Sequence, residues 1–218
     1  MTGPVISGKH IFMLRPESLP DKQGDLYDLL KTRDWLREYY LAGGTGLALQ
    51  IGHRESVDFD FFTSNEVIAG TLETNLSDIG EFRRTYEERD TLYGELNGIR
   101  VSFIRYSYPL IEEPAGDLNM RVAGLKDIAA MKLSAILGRG TRKDFIDLYY
   151  LLKTFSLKEI LSFYEIRYRA ENYQYTLLRS LQYFEDADTD PMPSMREPVS
   201  WEHIKQTITA LVREYDLI

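Results

Sequence analysis

The 218-residue chain contains no cysteine, which excludes disulfide bridges, zinc–thiolate centres and thiol nucleophiles. No stretch approaches eighteen apolar residues, and the N-terminus has no charged start followed by a long apolar run. Neither a membrane span nor a secretory signal is therefore expected. Basic residues are in deficit, with 26 Lys and Arg against 34 Asp and Glu and a formal charge of −8. A chain of that sign makes a poor non-specific coat for nucleic acid, although a local basic patch can still guide one. Internal repeats are also lacking. What is present is a 44% apolar, 28% charged composition, enough for a sizeable core and unlike a disordered chain. These features predict a soluble, cytoplasmic globular protein without membrane partners.

Residues 1–24 hold three prolines and three glycines and read as an extended arm. Leu26, Leu29, Leu30 and Leu36 recur at helical spacing and predict a helix over Asp25–Tyr40, with a short apolar helix over Gly46–Ile51. Val57 to Phe61 alternates apolar and acidic residues, a strand pattern that Phe62 extends, and Asn65–Leu76 predicts another helix. Gly80–Tyr108 reads as β-structure around the hairpin turn Asn97-Gly98. A two-residue turn there places Glu95 opposite Arg100 and Tyr93 opposite Ser102. Beyond Pro114 come helical patterns over Leu125–Leu137, Arg142–Lys153, Ser156–Arg169 and Asn172–Phe184. A loop follows over Asp186–Ser200, then a last helix carrying Trp201, Ile204, Ile208 and Leu211. The expected fold is α/β (α+β), a small mixed sheet with flanking helices followed by a helical region. Its expected parts are the arm at 1–24, an α/β core at 25–122 and a helical region at 123–218 that completes a cleft.

Period two along the strand places Asp58, Asp60 and Phe62 on one face and Val57, Phe59 and Phe61 on the other. Two carboxylates on one face either form a solvated sheet surface or converge on a hard cation such as magnesium or manganese. Upstream, Gly43-Gly44-Thr45 precedes a helix, where glycines let backbone amides approach a phosphate closely; an ordinary loop fits the same residues. His53-Arg54 follows that helix and could reach a phosphate or line a polar loop. Lys132 falls on the core-facing stripe of its helix, where it either snorkels to water or enters a lined cavity as a point charge for a triphosphate. Arg139 falls on the same face about two turns on, if that helix continues. Asp144, in a first helical turn, is explained by the helix dipole. Asp147 lies one turn deeper and calls for a basic partner, Lys132 or Arg139.

The run from Gly43 to Phe62, containing Gly43-Gly44-Thr45, Arg54 and Val57-Asp58-Phe59-Asp60-Phe61, resembles the signature of the AbiEii/AbiGii toxin family. That family belongs to the polymerase-β-like nucleotidyltransferase superfamily. The later stretch, Leu125 to Ala135 with Lys132, then Arg139 and Arg142 to Tyr149, is similar to its second signature, so the resemblance spans about residues 25–170. It implies a nucleotidyltransferase that moves a nucleoside monophosphate from a magnesium-bound nucleoside triphosphate to an acceptor hydroxyl. Some members use tRNA 3′ ends and act as toxins restrained by an antitoxin protein. Carried over, Gly43, Gly44, Thr45 and Arg54 become phosphate contacts and Asp58 and Asp60 the metal-binding pair. Lys132 becomes the triphosphate lysine and Asp147 the late acid of the site. There is one departure. Superfamily enzymes commonly place a third carboxylate on a later strand, and here that position reads as Ser102, which offers a neutral oxygen only. The alternatives are a catalytically weakened nucleotide-binding module and a protein-interaction domain with a vestigial cleft.

Overall fold

A computed structural model describes residues 14–215. The elements run α1 (Asp21–Leu30), β1 (Tyr40–Leu41), α2 (Gly43–Ile51), β2 (Phe59–Thr63), α3 (Ala69–Ser77), β3 (Phe82–Glu88), β4 (Thr91–Leu96), β5 (Ile99–Arg105), β6 (Ala115–Asp117) and β7 (Met120–Val122). The helical half follows as α4 (Leu125–Gly138), α5 (Arg142–Leu151), α6 (Leu157–Tyr168), α7 (Gln174–Ser180), α8 (Glu185–Asp188) and α9 (Trp201–Tyr215).

The strands form one mixed sheet in the order β3-β4-β5-β2-β1-β7-β6. Parallel pairing joins β2 to β5 and β1 to β7, and the remaining pairs are antiparallel. The Asn97-Gly98 turn has both residues at positive φ, 51° and 77°, as a two-residue hairpin turn requires. Its register is the expected one, with Glu95 opposite Arg100 and Tyr93 opposite Ser102.

Alternation along β2 then sorts the core in two. Phe59 and Phe61, fully buried, join Val101 and Phe103 of β5, Leu26, Tyr27 and Leu30 of α1, and Leu72 and Leu76 of α3. Phe62, on the opposite face, joins the cluster built by α4, α5, α6, α7 and α9. The sheet is thus covered on one face by α1 and α3 and on the other by the helical half. A capping box starts α6, with the Ser156 hydroxyl and the Glu159 side chain each bonded to the other's backbone N–H.

Several boundaries differ from expectation. The helix expected over 25–40 is α1, which starts at Asp21 within the expected arm and ends at Leu30; a 3-10 turn at Asp34–Glu38 and β1 follow. Leu36 reaches the core from that turn, and Trp35 packs on Phe103 with ring centroids 6.0 Å apart. Tertiary contacts therefore used the leucine spacing without continuing the helix. The strand begins at Phe59, so Asp58 lies just ahead of it and Val57 is 39% exposed instead of inward-facing. The short strands β6 and β7 were not anticipated. Residues 1–13 of the expected arm lie outside the described residues.

Candidate active site

The site begins as a row across the sheet. Tyr93 of β4 stands opposite Ser102 of β5, which stands opposite Asp60 of β2, so these side chains share one face. The Ser102 hydroxyl donates to Asp60 Oδ1 at 2.7 Å. In the neighbouring row Arg100 reaches over to Asp58, with Nε 2.8 Å from Oδ1 and Nη2 3.0 Å from Oδ2. Although Glu95 stands opposite Arg100 in the expected register, the two do not pair, and Glu95 instead accepts from Arg83 at 2.6 Å. Glu95 has a basic residue opposite it on each side and pairs with Arg83 of β3, its register partner there, which leaves Arg100 to the carboxylate that precedes its parallel neighbour β2.

Helix α2 starts beside this row. Gly43 has φ of +63°, and a Cβ there would come 3.0 Å from Asp60 Oδ2, so both conformation and space call for glycine. A Cβ on Gly44 would lie 2.4 Å from Arg54 Nη2, so the second glycine makes room for an arginine. The Thr45 hydroxyl lies 2.8 Å from that of Ser56 and bonds the Asp58 carbonyl. It faces inward, 1% exposed, and pins the approach to β2 instead of facing the cleft as a phosphate contact would.

Behind the sheet face lies a buried ionic cluster. Asp147, fully buried, accepts from Arg54 Nε at 2.7 Å and Nη2 at 2.8 Å, and pairs with His53 Nε2 at 2.8 Å. Lys132 Nζ lies 2.6 Å from Asp147 and 3.0 Å from Asp144. Asp144 also accepts from Arg139 at 3.0 Å and from the Thr141 hydroxyl at 2.7 Å. The helix dipole alone therefore does not account for Asp144: it is a buried ion-pair partner.

Burial opposes charge on both acids, but Lys132 and Arg54 outweigh it at Asp147 and hold its carboxyl well below the usual range. Lys132 and Arg139 similarly bring Asp144 down to about 2. Burial lowers the His53 pKa despite its bond to Asp147, which favours the neutral ring. Burial also works against the Lys132 ammonium, yet Asp147 and Asp144 raise its pKa. With His53 neutral, two carboxylates face three cations, and the surplus positive charge lies toward the cleft, where the Arg139 side chain is 67% exposed.

That cleft has a volume of about 640 Å³. Gly44, Arg54, Asp58, Asp60 and Lys132 line it, together with Arg100, Arg139, Lys143 and the segment Asp190–Ser194. A β-bridge between Arg54 and Met195 and a bond from Glu55 N–H to the Ser194 carbonyl at 2.9 Å strap this segment over the cleft. Asp58, Asp60 and Lys132, from separate parts of the chain, thus meet on one surface. Gly43 borders an adjoining hollow with Asp60. Asp147 does not reach the surface: it has the basic partner its position called for, holding Lys132 and Arg54 from behind, and as the late acid of the site it acts through them without lining the cleft. Arg100, Lys143, Tyr93 and the strap were not identified from sequence. Period-two alternation alone could have placed Arg100 beside Ser102 and Tyr93 on the acidic face, whereas the strap leaves no local pattern.

Among the described residues no group of three or more acids or histidines is arranged to hold a metal. Asp58, Asp60 and the Ser102 hydroxyl offer hard oxygen donors on one face, which suits a cation that completes its shell with water and phosphate oxygens. Arg100 covers Asp58, but its side chain is 68% exposed and such a surface pair yields at small cost. The residues fit one such ion.

The family model described as Nucleotidyl transferase AbiEii toxin, Type IV TA system, matches residues 25–109 and 95–217. The chain belongs to the AbiEii nucleotidyltransferase toxin family. It is 40% identical over 184 residues to an uncharacterized protein of Aquifex aeolicus (strain VF5), covering 82% of this chain and 88% of that one. Its fold is similar to that of JHP933 from Helicobacter pylori, with TM-score 0.56 and 18% identity, covering 90% of this chain and 92% of that one. It is also similar in fold to MenT4, a nucleotidyltransferase toxin from Mycobacterium tuberculosis H37Rv, with TM-score 0.54 and 16% identity, covering 89% of this chain and 86% of that one. The mixed α/β fold is that of these neighbours, and family and fold together support nucleotidyl transfer as the general chemistry. No helix among the described residues is long and apolar enough to cross a membrane.

Proposed function

We propose that this AbiEii family member transfers a nucleoside monophosphate from a nucleoside triphosphate to an acceptor hydroxyl, with pyrophosphate leaving. The observation that carries the reading is the meeting of Asp58 and Asp60 with Lys132 and Arg139 across one cleft. Carboxylates on one wall suit a magnesium or manganese ion, and cations on the other suit the triphosphate that the ion accompanies. When bound, the ion offsets charge on the triphosphate; Asp58 and Asp60 are the residues that hold it.

The chain's own groups do the rest. Lys132 has three N–H donors, and Asp144 and Asp147 orient the ammonium at the cleft floor with one donor left for a phosphate oxygen. Arg139 and Lys143 add positive charge where the leaving pyrophosphate gathers negative charge. The first N–H groups of α2, which have no intrahelical partner, open beside Asp60 and favour a phosphate. The acceptor oxygen bonds to the α-phosphorus as the bond to the bridging oxygen breaks. Its proton goes to Asp60, whose neighbour Ser102 is neutral and leaves acceptor positions over. The acceptor class implied by the resemblance is an RNA or tRNA 3′ end, and the partner class an antitoxin protein that restrains the activity.

A second reading is favoured by one observation. Ser102 stands in register with Asp60 where a third acid would strengthen the metal site, so the chain would bind nucleotide but turn over weakly. Calorimetry with the four nucleoside triphosphates, with and without magnesium, run beside a pyrophosphate-release assay, separates the two. Binding with turnover supports transfer, binding alone supports the module, and absence of binding refutes both. In the variant carrying Asp58→Asn and Asp60→Asn, magnesium-dependent binding should vanish while the fold persists, because both acids line the open cleft and the salt bridge lost with Asp58 is to the exposed Arg100.

A further inference from the structure

Beside the charged cleft lies a second hollow of about 420 Å³, within the range of roughly 300–1,000 Å³ usual for small-ligand sites. The two share Asp60, Tyr93, Lys132 and Arg139, so they are adjoining parts of one trough. Their chemistry differs sharply. One strand period beyond Asp60 and Ser102, the same sheet face presents Phe62 and Ile104, themselves register partners. Tyr106 closes that side, its ring set edge-on to Phe62 with centroids 5.5 Å apart and its hydroxyl 2.7 Å from that of Tyr168. On the facing wall α4 contributes Met131 and Ala135. The polar cleft thus gives way, across Asp60 and Lys132, to an aromatic and aliphatic slot.

We propose that this slot is a nucleobase-binding subsite. The inference rests on the nucleotidyl-transfer reading above and deepens it. A nucleotide has an anionic end and a flat, weakly polar end, joined by a sugar. The trough has a cationic end and an apolar, aromatic end, joined at Asp60, one of the two acids proposed to hold the metal. Aromatic rings take any base by its face, and Ser134 places a hydroxyl on the slot wall to meet a base edge. The base belongs either to the donor triphosphate or to the 3′-terminal residue of the acceptor, since both approach the α-phosphorus from the sugar side.

The test fills the slot without touching the charged cleft. Ala135→Phe and, separately, Ser134→Phe place a ring in the space, and both positions border the slot but not the triphosphate cleft. Inorganic tripolyphosphate with magnesium probes the anion end alone. Four nucleoside triphosphates probe both ends, and a short single-stranded RNA with a free 3′ hydroxyl probes the acceptor. If the slot holds the donor base, triphosphate affinity falls about tenfold or more while tripolyphosphate affinity stays put. If it holds the acceptor base, triphosphate affinity is kept and RNA affinity falls by a similar factor. Unchanged tripolyphosphate binding in the variants also shows that the site has folded. Wild-type affinity for every probe in both variants overturns the subsite and leaves the transfer reading standing. A wild-type protein that binds neither tripolyphosphate nor any nucleoside triphosphate overturns the transfer reading and the subsite with it.

Discussion

Gly44→Ala separates a glycine that contacts phosphate from one that accommodates the protein itself. The added methyl would sit 2.4 Å from Arg54 Nη2 and 3.2 Å from Ser56 Oγ, too close for either to remain. Arg54 is 3% exposed and bound to Asp147 through two nitrogens, so any shift of its guanidinium toward the cleft breaks those bonds. Displacing it leaves a buried ion pair broken, at a cost of about 3–5 kcal/mol. Alanine inside a helix returns about 1 kcal/mol relative to glycine. The net loss is therefore about 2–4 kcal/mol, a fall in melting temperature of roughly 4–16 °C for a chain of this size. The assay is thermal unfolding followed by circular dichroism, without nucleotide or metal. A double-mutant cycle with Arg54→Met completes it: with the guanidinium gone, Gly44→Ala should be neutral or slightly stabilising. A single variant that melts at or above the wild-type temperature would refute the reasoning. So would an equal loss in the Arg54→Met background.

Other outcomes follow from the same geometry. Ser102→Asp adds a carboxylate beside Asp60; it should lower the melting temperature in metal-free buffer through like-charge repulsion and recover it with magnesium, which binds the folded state alone. An equal magnesium response in wild type and variant would place position 102 outside the metal site. Arg100→Ala should change stability by about 1 kcal/mol or less, because the pair with Asp58 is exposed, while tightening magnesium-dependent nucleotide binding by uncovering that acid. Weaker binding would instead make Arg100 a ligand contact. Asp144 and Asp147 have folded pKa values below their unfolded ones, so their stabilisation is full above about pH 4 and is lost as pH falls toward 2. Urea unfolding between pH 4 and 2 should therefore show a steep decline in the wild type and a shallower one in Asp144→Asn; parallel declines would contradict the ion-pair assignment.

Local pattern was enough for much of this chain. Alternation from Phe59 to Phe62 put Asp60 on one face and the phenylalanines on the other, because side chains in a strand can only alternate. Asn97-Gly98 set the hairpin register because few other pairs accept two successive positive φ angles. The helical half was legible from its apolar spacing, and the glycines before α2 announced a special backbone. Other features were outside its reach because their partners lie far along the chain. Leu36 satisfies a helical spacing yet enters the core from a 3-10 turn, since burial rewards position and not the local route to it. Arg100 had an opposite charge directly across the hairpin, and folding supplied a better one from Asp58, forty-two residues away. Asp144 looked complete in its first turn until α4 brought Lys132 beside it. Likewise Gly44 is explained by Arg54, and Arg54 by Asp147, ninety-three residues on. Periodicity governs which face a side chain takes, whereas the choice among oppositely charged partners is made by desolvation and distance after the elements pack. For that reason the acids and the lysine could be named from the sequence, while the cluster that holds them could be seen only in the folded chain.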